Sequence, residues 1–431
     1  MKFKFIDWYS WFIVSVVFGS IVGLILYSSS GVSSVLSSCV LVFGSYFVCD
    51  MVGFYLSLLS ILLLFILLFV YNFVTGRSKF YVFISVVSSL LCYCSNNIFL
   101  FWWFYEVSIL SLLFLLIVES PYSERYLAGW YLGGYIVLTS LPMLLCLFYF
   151  SCVSGSFFMS DWLTCDYLKS SSLSSVILVL LGILFVTKIP VFPFHSWLPI
   201  VHAEATSLVS VCLSGYVMKL GILGVCRFCW WVAPDYLFSL FYVSLSFFFS
   251  ILFFLVASWE LDGKRWLAFL SLSHIVICVV CLNGGLYDSC GLLFVYSLGH
   301  GLSAGLVFVL LWWGYELSGS RNWMILKFIF GGSLFFRFLL GLGLCTVASL
   351  PPIVQFFVEV SMLSVVSGFS VSVFVIFCFY LFFSSLVPLF VLGLLVSRHF
   401  CFSYNSGVSF LGFSSCLLFV LFWSYILFLV A

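Results

Sequence analysis

The segment Leu184–Pro193 (LFVTKIPVFP) combines one lysine and two prolines with an otherwise apolar run. With the residues before it, it completes an apolar segment over 173–193 that is long enough to cross the roughly 30 Å hydrocarbon core of a bilayer as a helix. Proline removes a backbone donor and clashes with the preceding turn, so this helix should be interrupted near Lys188. Pro351 and Pro352 predict a second interruption inside another apolar segment. Two interrupted membrane helices indicate an ion pathway, and packing kinks without a functional role are the alternative.

The whole chain has the composition of a membrane protein. Of its 431 residues, 65% are hydrophobic and only 7% are charged, whereas a soluble domain has roughly 25% charged residues. We predict an all-α, polytopic transmembrane helix bundle, because helices pair their own backbone groups in lipid and the alternating strands of a barrel are absent. About fourteen spans are predicted, near 11–27, 32–49, 51–71, 79–95, 97–118, 127–151, 173–193, 203–229, 236–258, 266–283, 290–313, 328–366, 369–397 and 408–430.

Composition also excludes several classes of function. A net charge of +1 gives no long-range field that would attract nucleic acid. Lys2 and Lys4 precede a first span that leads into further spans without a clear cleavage site, so no removed signal peptide is predicted. The 17 cysteines are scattered through apolar segments, and the C-x-x-C matches at 226–229 and 278–281 lack a second ligand pair. We therefore predict no metal or cluster site in this chain.

Four ionisable side chains fall inside predicted spans, where a charge costs on the order of 3 kcal/mol. They are Glu106, Lys188, Lys219 and Glu359. Burial lowers the pKa of a lysine and raises that of a glutamate, and an opposite charge nearby does the reverse, so making or breaking an ion pair can move a proton. An arginine would stay charged and could not release its proton in this way. The pattern predicts proton transfer, and static ion pairs that lock helices together are the alternative.

Histidines offer further positions for a proton, because an imidazole accepts and donates protons near neutral pH. His274 and His300 fall within the tenth and eleventh predicted spans. The alternative for both is a buried ring bonded to a backbone carbonyl. His195 and His202 flank Trp197–Pro199 at a predicted turn, and we expect them to orient that turn rather than to carry protons.

The longest motif in the chain is Lys188–Pro199 (KIPVFPFHSWLP), followed by His202–Ala205 (HAEA). This motif resembles the signature of the antiporter-like membrane subunits of respiratory complex I. The resemblance covers roughly Asp50 to Glu359. Shorter similar segments are Lys219–Gly221 with Arg227 farther on, Ser273-His274 and Gly299–Leu302.

The resemblance implies a bundle of about fourteen helices with two inverted five-helix repeats, in which the broken helices seven and twelve carry Lys188 and Glu359. The repeats would occupy 79–229 and 236–397. Transmembrane helices in 1–78 would precede them, and a C-terminal transmembrane helix in 398–431 would follow.

The resemblance also implies a function. Such a subunit couples electron transfer from NADH to ubiquinone, carried out by other subunits, to proton translocation. Protons would pass along Glu106, Lys188, Lys219 and Glu359, with water, His274 and His300 between them. NADH, FMN, Fe–S clusters and ubiquinone would be bound by partner subunits, with no cofactor and no soluble substrate bound here. The partners would be other membrane-arm subunits and the lipid of the mitochondrial inner membrane.

Two other functions stay open. An independent multi-subunit cation/proton antiporter would have the same signature and the same buried charges. A membrane scaffold would use the charges only to specify helix packing. Glu359, where sister subunits have a lysine, favours the complex I assignment. So does a residue usage with Gln355 as the sole glutamine, which indicates G- and T-rich codons typical of an organelle gene.

Overall fold

The computed structural model describes residues 11–19, 41–42, 45–162, 172–229, 238–283, 287–397 and 410–429. Helices dominate these ranges, as predicted. They are α1 (11–19), α2 (Met51–Phe69), α3 (Gly76–Cys94), α4 (Ile98–Glu119), α5 (Arg125–Ser154), α6 (Met159–Trp162), α7 (Ser172–Val186), α8 (Trp197–Glu204), α9 (Ser207–Cys229), α10 (Leu240–Trp259), α11 (Gly263–Asn283), α12 (Tyr287–Ser318), α13 (Trp323–Phe330), α14 (Leu334–Val347), α15 (Val354–Ser367), α16 (Val371–Val396) and α17 (Phe410–Ile426).

Within the described ranges, seven helices are long and apolar enough to cross a membrane: α4, α5, α9, α10, α11, α12 and α16. Shorter apolar helices, among them α7, α14 and α15, accompany them. Polar side chains cap many of the helices by accepting hydrogen bonds from backbone N–H groups of the first turn. Asp50 accepts one from Gly53 at 2.8 Å, and Asp262 accepts one from Lys264 at 2.9 Å. The caps explain why the helices begin where short polar connections end.

Helix α12 lies at the centre of the described bundle. It packs against α2, α9, α11, α13, α14, α15 and α17. In an 18-residue hydrophobic stretch of α12, 94% of the residues are buried, and in that of α9 all of them are buried. In the corresponding stretch of α16, only 33% are buried. A Cβ atom added at Gly301 on α12 would lie 3.1 Å from the carbonyl oxygen of Gly215 on α9, so these two backbones approach closely. Polar side chains on α9, α11 and α12 are therefore placed in the protein interior.

Both predicted interruptions are confirmed. Helix α7 ends at Val186, and turns lead to α8, so Lys188 lies in the break rather than inside a continuous span over 173–193. The long span predicted over 328–366 is divided among α13, α14 and α15. Ser349, between α14 and α15, has a φ of 48°, in the left-handed region that only a break accommodates.

The span predicted over 32–49 is wrong in its described part. Leu41–Val42 (β1) pairs antiparallel with Val48–Cys49 (β2). Phe47 forms a further antiparallel bridge with Ser95. Asp50 caps α2 directly afterwards, so the chain leaves this ribbon and starts a helix within two residues. Residues 32–40 lie outside the described ranges, as do 20–27 of the first predicted span, whose residues 11–19 are helical.

Candidate functional site

Glu106 and Lys188 lie near each other but do not form an ion pair at contact distance. They are 6% and 5% exposed and interact electrostatically. The Lys188 Nζ atom lies 3.5 Å from the carbonyl oxygen of Tyr135 on α5 and 5.8 Å from the ring centroid of Tyr105. Both carboxylate oxygens of Glu106 are buried without a hydrogen-bond partner among the described residues. The predicted pair is therefore two neighbouring groups separated by a gap that a water or a side-chain movement can close.

Lys219 occupies an irregular part of α9. Residues Leu213–Val217 are π-helical, and the Met218 N–H donates to the carbonyl of Leu213, five residues back. The carbonyl of Ser214 thus loses its usual donor four residues ahead and accepts a hydrogen bond from Lys219 Nζ. The lysine side chain is completely buried. The irregular turn provides a polar partner for a cation in an otherwise apolar interior.

Helix α9 packs directly on the first break. A Cβ atom added at Gly221 would lie 3.0 Å from the carbonyl oxygen of Phe185 and 3.2 Å from the backbone nitrogen of Ile189. No side chain larger than that of glycine fits there without a shift of the backbone. The helix that carries Lys219 is thus held against the turn that carries Lys188.

His274 on α11 and His300 on α12 lie side by side in the interior, with ring centroids 5.8 Å apart. The Nδ1 atom of His274 lies 3.1 Å from the hydroxyl of Tyr380 and 3.4 Å from the hydroxyl of Tyr296. His300 interacts electrostatically with Lys219. The alternative of a ring held by a backbone carbonyl does not describe His274, because its ring nitrogen faces tyrosine hydroxyls.

Glu359 lies in the second turn of α15, the helix that follows the second break, and its side chain is buried. The Ser349 hydroxyl donates to its Oε2 atom at 2.7 Å. Its Oε1 atom is buried without a hydrogen-bond partner in the described part of the chain. Glu359 also lines a cavity of about 250 Å³, together with Ser349, Leu350, Phe356 and Ser384. The second break therefore places a carboxylate between the histidines and a space near the bundle surface.

The sequence-predicted residues thus fall into two groups joined by α9. Glu106 and Lys188 form the first group, and His274, His300 and Glu359 form the second, with Lys219 between them. His202 remains apart from both groups: its ring stacks on Phe308 with centroids 5.0 Å apart, and both ring nitrogens lack a partner among the described residues. His195 lies 4.8 Å from the ring of Phe253. Ring packing thus contributes to any orienting role of these two histidines, and His195 also interacts with the backbone of Pro193.

Sequence reasoning missed three polar residues of the second group, Tyr296, Ser349 and Tyr380. Tyr296 stands four residues before His300 on the same helix face, a spacing that could have revealed it. No local pattern marks Tyr380, which is 106 residues from His274 in sequence.

Sequence reasoning also missed a charged cluster where α11 begins. Lys264 is 2% exposed, and its Nζ atom donates to the carbonyl of Ala205 at 2.8 Å. Arg321 pairs with Asp262 at 3.4 Å and lies over the ring of Tyr122, 4.3 Å from the centroid. Burial raises the pKa of the Tyr122 phenol, which keeps this loop residue neutral. The cluster fixes the connection between α8 and α9 to the start of α11.

In the described ranges, no three His, Cys, Asp or Glu side chains gather in a way that could hold a metal ion.

Comparison with known proteins gives consistent results. The family described as NADH:quinone oxidoreductase/Mrp antiporter, TM, matches residues 95–386. NADH-ubiquinone oxidoreductase chain 4 of Ceratitis capitata is 30% identical over 327 residues, 74% of this chain and 71% of the relative. Its counterpart in Locusta migratoria is 30% identical over 326 residues, 74% of this chain and 70% of that protein.

Two solved structures have a similar fold. A chain of respiratory complex I from Thermus thermophilus with bound NADH superposes with a TM-score of 0.79 at 19% identity, covering 95% of this chain and 90% of that one. A chain of the Mrp complex from Dietzia sp. DQ12-45-1b gives a TM-score of 0.79 at 16% identity, with 98% and 89% covered.

Proposed function

The chain belongs to the NADH:quinone oxidoreductase/Mrp antiporter family of transmembrane subunits, and from this we propose that it is the proton-translocating chain 4 of respiratory complex I. One observation carries the proposal: a buried ionisable residue lies in the first break (Lys188) and another in the helix that directly follows the second break (Glu359), and further buried ionisable residues lie between them in sequence. Buried charges of this kind are costly unless they are paired or functional. The chain acts as part of a proton-translocating NADH:ubiquinone reductase.

The proposed path runs from Glu106 and Lys188 through Lys219 to His300 and on to the second group. An ion pair between Glu106 and Lys188 would stabilise both charges. When the pair opens, Lys188 would be a buried, unpaired cation, which is unfavourable, so the lysine would pass its proton onward. Lys219, held by the carbonyl of Ser214, would receive that proton. From there His300 would carry it to the second group.

At the second break the proposed path ends on Glu359. His274 would hand the proton on from His300, and the carboxylate would exchange it with the cavity that it lines. The Ser349 hydroxyl, which donates to Oε2, would hold the carboxylate at the mouth of that cavity.

We place the chain in the mitochondrial inner membrane, among the other membrane-arm subunits. NADH, FMN, Fe–S clusters and ubiquinone would be bound by partner subunits. We further propose two inverted repeats over 79–229 and 236–397, between N-terminal helices in 1–78 and a C-terminal helix in 398–431. In this division Lys188 and Glu359 lie in the interrupted helices of the first and second repeat.

The assembly is tested first, in native membranes. Membranes are solubilised in mild detergent, complexes are separated on a native gel, and the gel is stained for NADH dehydrogenase activity. We expect the chain to be identified by mass spectrometry in the active band of a very large complex. A chain found only in a smaller, inactive complex would contradict the complex I assignment.

An independent cation/proton antiporter is the second candidate, because the fold is as similar to a chain of an Mrp complex as to a chain of complex I. The 30% identity to curated chain 4 proteins favours complex I. Sodium-dependent proton transport in vesicles that lack NADH dehydrogenase would favour the antiporter instead.

A further inference from the structure

Two tyrosines lie between His274 and Glu359 and have no part in the path described so far. We propose that Tyr296 and Tyr380 relay the proton between Glu359 and His274. Every route between these two groups passes through the Tyr296 hydroxyl, and one of the routes also uses Tyr380. The proposal rests on the proposed function and extends it by two residues. Both side chains are at most 1% exposed, so neither hydroxyl has bulk water as a partner.

The two hydroxyls meet at one nitrogen atom. Tyr380 lies 3.1 Å and Tyr296 lies 3.4 Å from Nδ1 of His274, and the Tyr296 hydroxyl also donates to the His274 carbonyl at 3.3 Å. The two hydroxyls interact with each other as well. Buried hydroxyl groups in an apolar bundle are placed where they have polar partners, and here the shared partner is an imidazole.

The link to the carboxylate depends on Tyr296. Its hydroxyl interacts with Glu359, whereas Tyr380 contributes only a longer-range electrostatic effect there. Oε2 of Glu359 is occupied by Ser349, and Oε1 has no hydrogen-bond partner among the described residues. A small rotation of the carboxylate would bring the unoccupied oxygen onto the Tyr296 hydroxyl. From there a proton reaches His274 directly or by way of Tyr380.

The transfer balances without an ionised tyrosine. The O–H bond of protonated Glu359 breaks while the Tyr296 oxygen accepts that proton, and the original Tyr296 proton passes to Nδ1 of His274. The phenol is neutral before and after the step, as its ordinary pKa near 10 requires. His274 becomes an imidazolium and releases a proton from Nε2 toward His300. The reverse sequence carries a proton outward to Glu359.

Aromatic packing alone would not require the hydroxyls. The Tyr296 ring stacks on His300 with centroids 6.3 Å apart and 3° between planes. The Tyr380 ring stacks on Phe377 at 5.7 Å and 5°. Phenylalanine keeps both of these contacts and removes only the oxygen, so Tyr296→Phe and Tyr380→Phe separate relay from packing.

The experiment uses assembled complex I that carries each variant, reconstituted in liposomes. Proton pumping per electron and the solvent deuterium isotope effect on turnover are measured, and assembly is checked on native gels. We expect Tyr296→Phe to lower the pumping rate about tenfold or more, as for loss of a positioned proton-transfer group. Tyr380→Phe should lower it less, because Tyr296 reaches His274 by itself.

The matched control is Tyr216→Phe, which removes an equally buried hydroxyl that donates to Ser85 at 2.6 Å, and it should leave pumping unchanged.

A Glu359→Gln variant distinguishes failure of the relay from failure of the proposed function. If Glu359→Gln stops pumping while assembled Tyr296→Phe complexes pump normally, the tyrosine relay is wrong and the wider proposal stands. If Glu359→Gln also pumps normally, the proposed function itself is wrong. Tyr296→Phe and Tyr216→Phe reducing pumping equally would indicate a general packing effect and would also overturn the relay.

Discussion

The two halves of the proposed path are connected in different ways. In the first half, Glu106 has no hydrogen-bond partner among the described residues, and Lys188 contacts the carbonyl of Tyr135 and the ring of Tyr105. In the second half, His274 contacts two tyrosine hydroxyls, and Glu359 accepts a hydrogen bond from Ser349. In the proposed path, transfer in the first half would thus depend on movement of a side chain or on water, whereas tyrosine hydroxyls would bridge the second half.

The difference has a physical origin in the helices that hold each half. Lys188 is part of a turn at the end of α7, with a long flexible side chain that can move between partners. His274 lies on α11, in which 89% of an 18-residue hydrophobic stretch is buried, and His300 lies on the central helix α12. Side chains in such a close-packed interior occupy low-energy rotamers and have little room for large movements. A switch therefore fits the first half and a fixed relay fits the second.

The largest effect is expected from Lys188→Met, which keeps an unbranched apolar stem, one atom shorter, and removes the charge. Proton pumping should fall at least about tenfold, because Glu106 loses the only cation proposed to pair with it. Electron transfer from NADH to artificial acceptors, which takes place outside this chain, should be unaffected. Lys327→Met is the control, since Lys327 contacts the exposed Ser397 and lies outside the path. Normal pumping in an assembled Lys188→Met complex would remove the first half from the path.

A similar loss is expected from Glu106→Gln. The amide cannot take up and release a proton, so the pair that is proposed to switch no longer exists. Coupled ubiquinone reduction and pumping, measured in the same liposomes, should fall together. The exposed Glu124 provides the control variant Glu124→Gln. Loss of pumping in both variants would point to assembly rather than to proton transfer.

A smaller effect is expected from Gly221→Ala, which tests how α9 contacts the first break. The added Cβ would lie 3.0 Å from the Phe185 carbonyl oxygen and 3.2 Å from the nitrogen of Ile189. Overpacking of this kind costs about 1–3 kcal/mol, so the complex should lose thermal stability and part of its pumping. Gly341→Ala is the control, because nothing lies within 4 Å of a Cβ atom there. Equal stability of the two variants would show that the contact between α9 and the break is not close.

The smallest effect is expected from Asp50→Asn. This change removes the 3.2 Å ion pair with Arg227 while the amide oxygen can still cap α2. The aspartate side chain is 42% exposed, and a solvent-screened pair contributes roughly 0–1 kcal/mol. Thermal unfolding of the complex should shift slightly and pumping should not change. A large loss of pumping would mean that this end of α9 takes part in the path.

The sequence alone was sufficient to predict features that depend on a local pattern of residues. Prolines inside apolar segments predicted both breaks, and charges inside such segments predicted Lys188, Lys219, Glu106 and Glu359 as buried groups. Contacts between residues far apart in sequence produce no such local pattern. The approach of Tyr380 to His274, for example, depends on how α16 packs against the interior. The hydropathy pattern also gave a wrong prediction at the described residues 41–42 and 45–49, because an apolar segment of that composition suits a strand pair as well as a helix.

Lys219→Met tests the central claim most directly, because Lys219 connects the two halves. The ratio of protons pumped to electrons transferred is measured in liposomes that contain the fully assembled variant complex. The proposed path predicts a lower ratio with normal assembly and normal electron transfer to artificial acceptors. An unchanged ratio in the assembled complex would contradict a proton path through this chain.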